Sequence, residues 1–330
     1  MVVTFVLLIA SAVTIYLACE LFVNGVEWLG RKMGLGETAT GTILAAFGTA
    51  LPESVVTLVA VAFGDGPGQK DIGVGAALAG PMVLSTLTYG IVGLALMANA
   101  SQRGLTGRTI MVDVDHTRLS RDQAWFMAIF IFKVALGFVA FTIKPWLGIL
   151  FLAAYGLYVM KEVSGEQGGE EELEPLKFRP QESNPAMGWV SLQTGIALVV
   201  IFAASHLFVA QVEAVGIWFG VAPQVIALIL SPIATELPET MNALIWVRQG
   251  RERLALANVS GAMMIQATVP SAFGLFFTPW LFDRSLTVSA AVTMLAIGTL
   301  FWMFHRGHVS GWRLSLLSLF YLIFVGSLVF

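Results

Sequence analysis

Gly48-Thr49-Ala50-Leu51-Pro52-Glu53 returns 186 residues later as Ala234-Thr235-Glu236-Leu237-Pro238-Glu239, each copy inside a long apolar run. Glu53 is the 18th residue of the apolar stretch 36–62, and Glu239 is the 19th of 221–247. Helix ends therefore cannot explain them. An ionisable group at that depth in a bilayer costs about 3 kcal/mol on insertion scales, which marks it as functional unless it is paired. Thr49 and Thr235 precede the acids by four residues, so a hydroxyl lies one helical turn away on the same face. Pro52 and Pro238 lack an N–H and release the carbonyls of Gly48 and Ala234. Carboxylate, hydroxyl and freed carbonyl make an all-oxygen environment, which hard cations such as Ca²⁺ prefer. With no Cys or His in the set, a soft-metal or zinc site is disfavoured. In the plainer alternative, each proline kinks its helix and each Glu is kept protonated in a packing hydrogen bond. The same motif twice at this depth asks for more than a kink.

The register of the repeat extends outward from the motif. Leu21, Phe22, Val23, Val26, Glu27, Gly30 and Gly34 align with Leu207, Phe208, Val209, Val212, Glu213, Gly216 and Gly220, and Ile43 aligns with Ile229. Hydropathy divides the chain into ten apolar stretches: 3–29, 36–62, 73–98, 124–142, 145–160, 189–213, 221–247, 254–278, 286–304 and 312–330. The matching elements are the first and second against the sixth and seventh. Equivalent positions are five spans apart, and an odd number reverses direction across the membrane. The expected fold is an all-α integral membrane protein of ten transmembrane helices in two inverted five-helix repeats, 1–160 and 189–330, joined by an acidic linker at 161–188. Inverted repeats are a building plan of secondary transporters, with the site near the bilayer midplane where interrupted helices meet.

Composition agrees with a lipid environment. Of 330 residues, 57% are hydrophobic and only 12% charged, against about 25% charged in soluble domains, and the mean hydropathy is +0.82. Met1 to Ala18 reads as a retained span, lacking a basic leader region. The single cysteine, Cys19, excludes an intrachain disulfide. A net charge of -3 and no basic patch with interleaved aromatics leave no reason to expect nucleic acid.

Lysine and arginine set the orientation, since cytoplasmic loops are enriched in them. One direction places 14 of the 18 inside, from Arg31 and Lys32 through Arg248, Arg251 and Arg253 to Arg306 and Arg313. Only Lys70, Lys144 and Arg284 then lie outside, with Lys133 inside the fourth stretch. Both termini are thereby assigned to the outer side and 161–188 to the cytoplasm. Glu166, Glu170, Glu171, Glu172 and Glu174, with Gly168, Gly169, Pro175 and Pro180, make that segment read as a flexible connector.

Two more stretches carry interruptions. Residues 71–86 correspond to 254–268, where Asn258, Gly261 and Gln266 stand out. Pro81 and Pro270 free the carbonyls of Ala77 and Gln266, which suits them to complete a cation cage. Lys133 reads as a structural charge partner. Glu20 and His206 are equivalent in the first and sixth spans, and are read equally as a proton relay or as interface residues.

These motifs resemble the calcium/cation antiporter superfamily, the sodium/calcium exchangers and their proton-coupled relatives. There each repeat carries a Gly-Thr-Ser-Leu-Pro-Glu type motif followed by a Gly-Asn-x-x-Gly-Ser type motif. The resemblance covers about 18–98 and 204–278. It implies a five-plus-five inverted arrangement, alternating access, Glu53 and Glu239 as principal ligands, and first and sixth helices that slide as the gate. Departures bear on ion identity: Ala50 and Glu236 replace the motif serines, Gly80 and Ala262 replace later serines, Leu84 with adjacent Ser85 stands at the asparagine position, and Gln266 stands for Asn or Asp. An added carboxylate with lost hydroxyls is easier to reconcile with proton coupling than with several Na⁺ sites.

The expectation is a secondary active cation antiporter, not an enzyme, exchanging Ca²⁺ or a similar cation for H⁺ or Na⁺ without a cofactor. Its partners are inorganic cations and the lipid bilayer. Glu53 and Glu239 bind the ion. Thr49, Thr235, Gly48 and Ala234 add oxygen, Glu236 tunes charge or carries a proton, and Asn258 and Gln266 contribute secondarily. A cation channel and an intramembrane carboxylate enzyme are the rival readings.

Overall fold

The computed structural model describes residues 1–32, 37–102, 115–165, 173–248, 250, 252–307 and 309–329. At 37–49, 100–102, 162–165, 233–234, 237–238, 254 and 329 it describes backbone only. The chain runs as α1 Val2–Lys32, α2 Glu37–Ala62, α3 Pro67–Val83, a π-helical turn Leu84–Thr88, α4 Tyr89–Gln102, α5 His116–Leu136, a 3₁₀ turn Lys144–Leu147 and α6 Gly148–Gly165. It continues as α7 Met187–Phe219, α8 Pro223–Thr235, α9 Leu237–Arg248, α10 Glu252–Phe277, α11 Arg284–His305, α12 Gly311–Ser315 and α13 Ser318–Val329.

Each apolar stretch has a helix or a consecutive helix pair in its place. Among the described residues, six helical segments are long and apolar enough to cross a membrane by themselves. Their outward faces carry side chains that water would not tolerate in bulk, such as Val2, Val6, Ile9, Val13 and Leu17 along α1. An apolar face of that length is a lipid-facing one. The largest boundary difference is the fourth stretch, placed at 124–142 by hydropathy and found at His116–Leu136. Local caps override hydropathy there. Asp115 accepts from the Arg118 N–H to start α5 within a polar turn, and the helix ends at Gly137 although Phe138 to Phe141 remain apolar.

Two apolar cores divide the molecule. One joins α1 and α7, packed along their length, to one face of α2 and α8 through residues including Ile15, Phe22, Val56, Ile201 and Phe208. The larger one gathers α3 to α6 and α9 to α13 around Leu78, Phe126, Met263, Trp280 and Phe304.

The linker differs from its composition. α6 extends to Gly165 and α7 begins at Met187, while residues 173–186, largely exposed on their outer side, are pinned at a few points. Leu176 is fully buried beside Trp28 and Val190. Asn24 Nδ2 donates to the carbonyls of Glu174 and Pro175, each at 3.3 Å, and Trp28 Nε1 donates to Glu174 at 2.9 Å. The Lys177 N–H returns a bond to Asn24 Oδ1 at 3.0 Å, and the Phe178 N–H donates to Gln193 Oε1 at 2.8 Å. Gln193 closes the network on Asn24 Oδ1 at 3.0 Å. Buried amides that satisfy backbone groups override a local preference for disorder. The segment is a strap across α1 and α7.

Candidate cation site

The centre of the molecule is formed by α2, α3, α8 and α10, with α2 against α10 and α3 against α8. Glycines on α3 set the spacing. A side chain at Gly75 would meet the Gln224 carbonyl at 2.6 Å, and one at Gly80 would run into Glu53 Oε2 and lie 2.6 Å from Gln266 Oε1. Serine at position 80 would displace the Glu53 carboxylate. This gives a physical reason for one of the lost hydroxyls.

The two Leu-Pro-Glu copies are built differently. α2 runs unbroken through Pro52. The second copy is split: α8 ends at Thr235, Glu236 turns out at φ -98° and ψ -7°, and α9 starts at Leu237. Pro232 and Pro238 bracket the break and remove two helix donors within seven residues. One local device is shared. Ser54 Oγ donates to Ala50 O at 3.0 Å, and its repeat equivalent Thr240 donates to Glu236 O at 3.0 Å.

Glu53, Glu236 and Glu239 are buried, at 1%, 1% and 0% exposure. Glu236 is held by neutral donors: Gln266 Nε2 donates to its Oε2 at 2.7 Å, and Thr235 Oγ1 lies 3.1 Å from its Oε1. Glu53 has no neutral donor: its hydrogen-bond partner is the Glu236 carboxyl, a contact that needs a shared proton, and Gln266 Oε1, aimed at the same glycine, meets no donor either. Glu53 lies within electrostatic reach of Glu236, Lys133 and Glu239, and Glu239 within reach of Cys19 on α1. The site therefore sits where the two cores meet.

Lys133 of α5 is fully buried. Its Nζ donates to Ala77 O at 3.0 Å and to Ser271 Oγ at 3.1 Å. The carbonyl freed by Pro81, expected as part of the cation cage, is thus already taken by an ammonium. This corrects the sequence reading, which could not place α5 beside the kink of α3.

Of the expected ligands, Glu53, Glu236 and Gln266 come together around Gly80, and Glu239 lies within electrostatic reach of Glu53. Thr235 turns its hydroxyl to Ser231 O at 3.2 Å and to Glu236. The side chains of Thr49 and Ala234 lie outside the described residues, and Gly48 is described as helical backbone only. Asn258 is eight residues before Gln266 on α10, about 12 Å along the helix axis. Its Nδ2 is buried without a partner, apart from the Gln266 cluster. Leu84 and Ser85 fall in the π-helical turn. That turn reaches the second copy by a 3.0 Å contact between the Thr88 and Thr240 hydroxyls. Glu20 is exposed beside Tyr16, whereas His206 packs on Phe63 and Phe202. Ser271 was not anticipated, though its place directly after Pro270 was a signal. Among the described residues, no three of His, Cys, Asp and Glu converge closely enough to hold a metal by themselves. Any cage here is completed by neutral oxygens or by a shift of one helix.

The profile of the family described as sodium/calcium exchanger protein matches residues 3–161 and 189–330. The chain belongs to the sodium/calcium exchanger family. Within it, the chain is 25% identical to the inner membrane protein YrbG of Escherichia coli strain K12, over 89% of this chain and 86% of that one. It is 23% identical to the putative antiporter CaxA of Alkalimonas amylolytica, over 90% and 88%. The H⁺/Ca²⁺ exchanger CAX has the same fold, with a TM-score of 0.74 at 16% identity over 99% of this chain and 82% of that one. The sodium-calcium exchanger NCX_Mj superposes with a TM-score of 0.61 at 20% identity, over 99% of both chains. The segment between the two family matches, 162–188, contains the strap. Family membership and the apolar helices make this exchanger an integral, multi-pass membrane protein.

Proposed function

We propose that this exchanger is a secondary active antiporter that moves Ca²⁺, or a similar divalent cation, against protons by alternating access. The carrying observation is the set of buried oxygens that no neutral donor satisfies, both of Glu53 and Oε1 of Gln266, with the Glu53 carboxyl set against that of Glu236. An unsatisfied buried polar atom costs about 1–3 kcal/mol, more when charged. Three such atoms around one glycine are a cost that a cation would relieve. Glu53 and Glu239 supply the charge for the ion, Gln266 and Thr235 neutral oxygen, and the Gly48 and Ala234 carbonyls with Thr49 complete the set. Glu236 carries the counter-charge, held by Gln266 and Thr235 when no ion is bound. Against Na⁺ coupling stand the crowding at Gly80 and the Ala77 carbonyl engaged by Lys133.

The reading rests on ten crossings in two inverted repeats, 1–160 and 189–330. Helix packing supports it. Exchanging each helix with its counterpart five spans on turns the α2–α10 pair into α3–α8 and the α6–α10 pair into α4–α12, and leaves α1–α7 and α5–α11 unchanged; all six pairs pack closely. The lysine and arginine bias supports outer termini and a cytoplasmic strap.

Proteoliposomes loaded to impose either a pH or a Na⁺ gradient, supplied with radiolabelled Ca²⁺, test this. Uptake driven by the pH gradient without Na⁺, saturable and lost in Glu53→Gln and Glu239→Gln, is the expected result. Uptake that requires Na⁺ would refute the proton coupling. Uptake in the two variants equal to that of wild type would refute the site.

A further inference from the structure

Beside the acids stands a buried lysine, Lys133, to which the exchange reading gives no part in binding the ion or the proton. Its surroundings resemble a cation's coordination shell more than an ion pair. Nζ has Ala77 O at 3.0 Å and Ser271 Oγ at 3.1 Å, and it stands 4.8 Å from the centre of the Phe130 ring. The carbonyl is one that Pro81 withholds from its helix, and the hydroxyl directly follows Pro270 on α10. Backbone carbonyl, hydroxyl and aromatic face are what a monovalent cation accepts in a dry interior. Among the described residues no carboxylate makes a direct ion pair with Nζ, although Glu53 lies within electrostatic reach. The backbone of Lys133 is held as well, since buried Trp280 donates through Nε1 to its carbonyl at 3.1 Å.

We propose that the Lys133 ammonium is a tethered cation occupying the oxygen pocket between the kinks of α3 and α10, and thereby a specificity-determining residue that keeps monovalent ions out of the site. With Glu53, Glu236 and Glu239 ionised and Lys133 charged, the cluster carries a formal charge of -2, which a single divalent ion neutralises. Without the ammonium the charge is -3, and the Ala77 carbonyl and Ser271 hydroxyl, under the Phe130 ring, lose their cation. A mobile Na⁺ then fits where Nζ was. A tethered ammonium cannot leave with the cargo, so the pocket contributes no ion to the transport stoichiometry. The inference rests on the exchange reading above for the cargo, but its test does not.

The test measures equilibrium binding of radiolabelled Na⁺ to detergent-purified protein, full chain, for wild type, Lys133→Ala, Lys133→Gln and Lys133→Arg. Lys133→Ala empties the pocket, Lys133→Gln removes the charge while keeping donors for Ala77 O and Ser271, and Lys133→Arg keeps the charge. Expected is a rise of about tenfold or more in bound Na⁺ for Lys133→Ala, a change of about 1.4 kcal/mol. A smaller rise is expected for Lys133→Gln, and none for Lys133→Arg. A further Ser271→Ala change in the Lys133→Ala background should remove the gain, which a merely looser protein would not do. Unchanged Na⁺ binding in both neutral variants would overturn the proposal. So would failure of both to purify as monodisperse protein while Lys133→Arg does, because that marks the ammonium as structural alone. Wild-type Ca²⁺ uptake, measured beside it, separates the two ideas. A gain of Na⁺ binding without wild-type Ca²⁺ transport sinks the cargo assignment and keeps the pocket, and the reverse outcome sinks the pocket only.

Discussion

Leu51-Pro52-Glu53 and Leu237-Pro238-Glu239 have the same letters and different physical states. The first lies in a continuous helix and presents a carboxylate that no neutral donor reaches, with only the Glu236 carboxyl against it. The second follows a broken helix, and the break turns an additional carboxylate, Glu236, onto Gln266 and Thr235. One proline removes one donor and a helix absorbs it. Two prolines six residues apart, Pro232 and Pro238, release the backbone at Glu236. The comparison separates two jobs that a symmetric repeat would share. One copy keeps a charge waiting for a ligand, and the other keeps a charge already solvated by the protein.

Neutralising the waiting charge should have the largest effect. Glu53→Gln is expected to lower Ca²⁺ affinity by about 100-fold or more, the equivalent of losing a charged contact of about 3 kcal/mol, as read from Ca²⁺ titrations of purified protein. The Gly80 side of the same copy comes next. Gly80→Ala pushes a methyl group into the space of Glu53 Oε2 and should cost about tenfold in affinity, or about 1.4 kcal/mol. A melting temperature within a few degrees of wild type would show that the carboxylate, not the fold, has moved. On the second copy, Gln266→Leu strips the strongest donor from Glu236. It should change the pH at which uptake is half-maximal more than it changes Ca²⁺ affinity at high pH. Equal loss in both would erase the division of labour. Thr235→Val removes the weaker contact and should cost about 1 kcal/mol, roughly fivefold, in the same pH-dependent readout. Smallest, and away from the site, is the effect of Asn24→Leu, which unpins the strap. Limited proteolysis should then cut within 173–186 several-fold faster, while equilibrium Ca²⁺ affinity stays unchanged.

Much of this was legible in the residues. The ten apolar stretches and the register of the repeat follow from hydropathy and spacing, because burial in lipid imposes long apolar helices on any solution. The buried acids and proline-freed carbonyls followed from position alone. What could not be read was how partners are shared between distant elements. Nothing local to α5 says that Lys133 reaches Ala77 and Ser271. Nothing local to 173–186, a glutamate- and proline-bearing stretch, says that Asn24 and Gln193 will bind its backbone. The end of α5 was misplaced for a related reason: an apolar run after Gly137 scores as membrane although the helix has stopped. Asn258 stands about two turns from Gln266 along α10, with a buried Nδ2 that has no partner.

The account turns on Glu53 being the ligand that waits for the ion. Calorimetric titration of the purified exchanger with Ca²⁺, comparing wild type, Glu53→Gln and Glu236→Gln at one pH, tests this directly. The account predicts a saturable isotherm for wild type, none for Glu53→Gln, and binding retained within about tenfold for Glu236→Gln, whose carboxylate the protein already satisfies. A Glu53→Gln protein that binds Ca²⁺ as wild type does would contradict it.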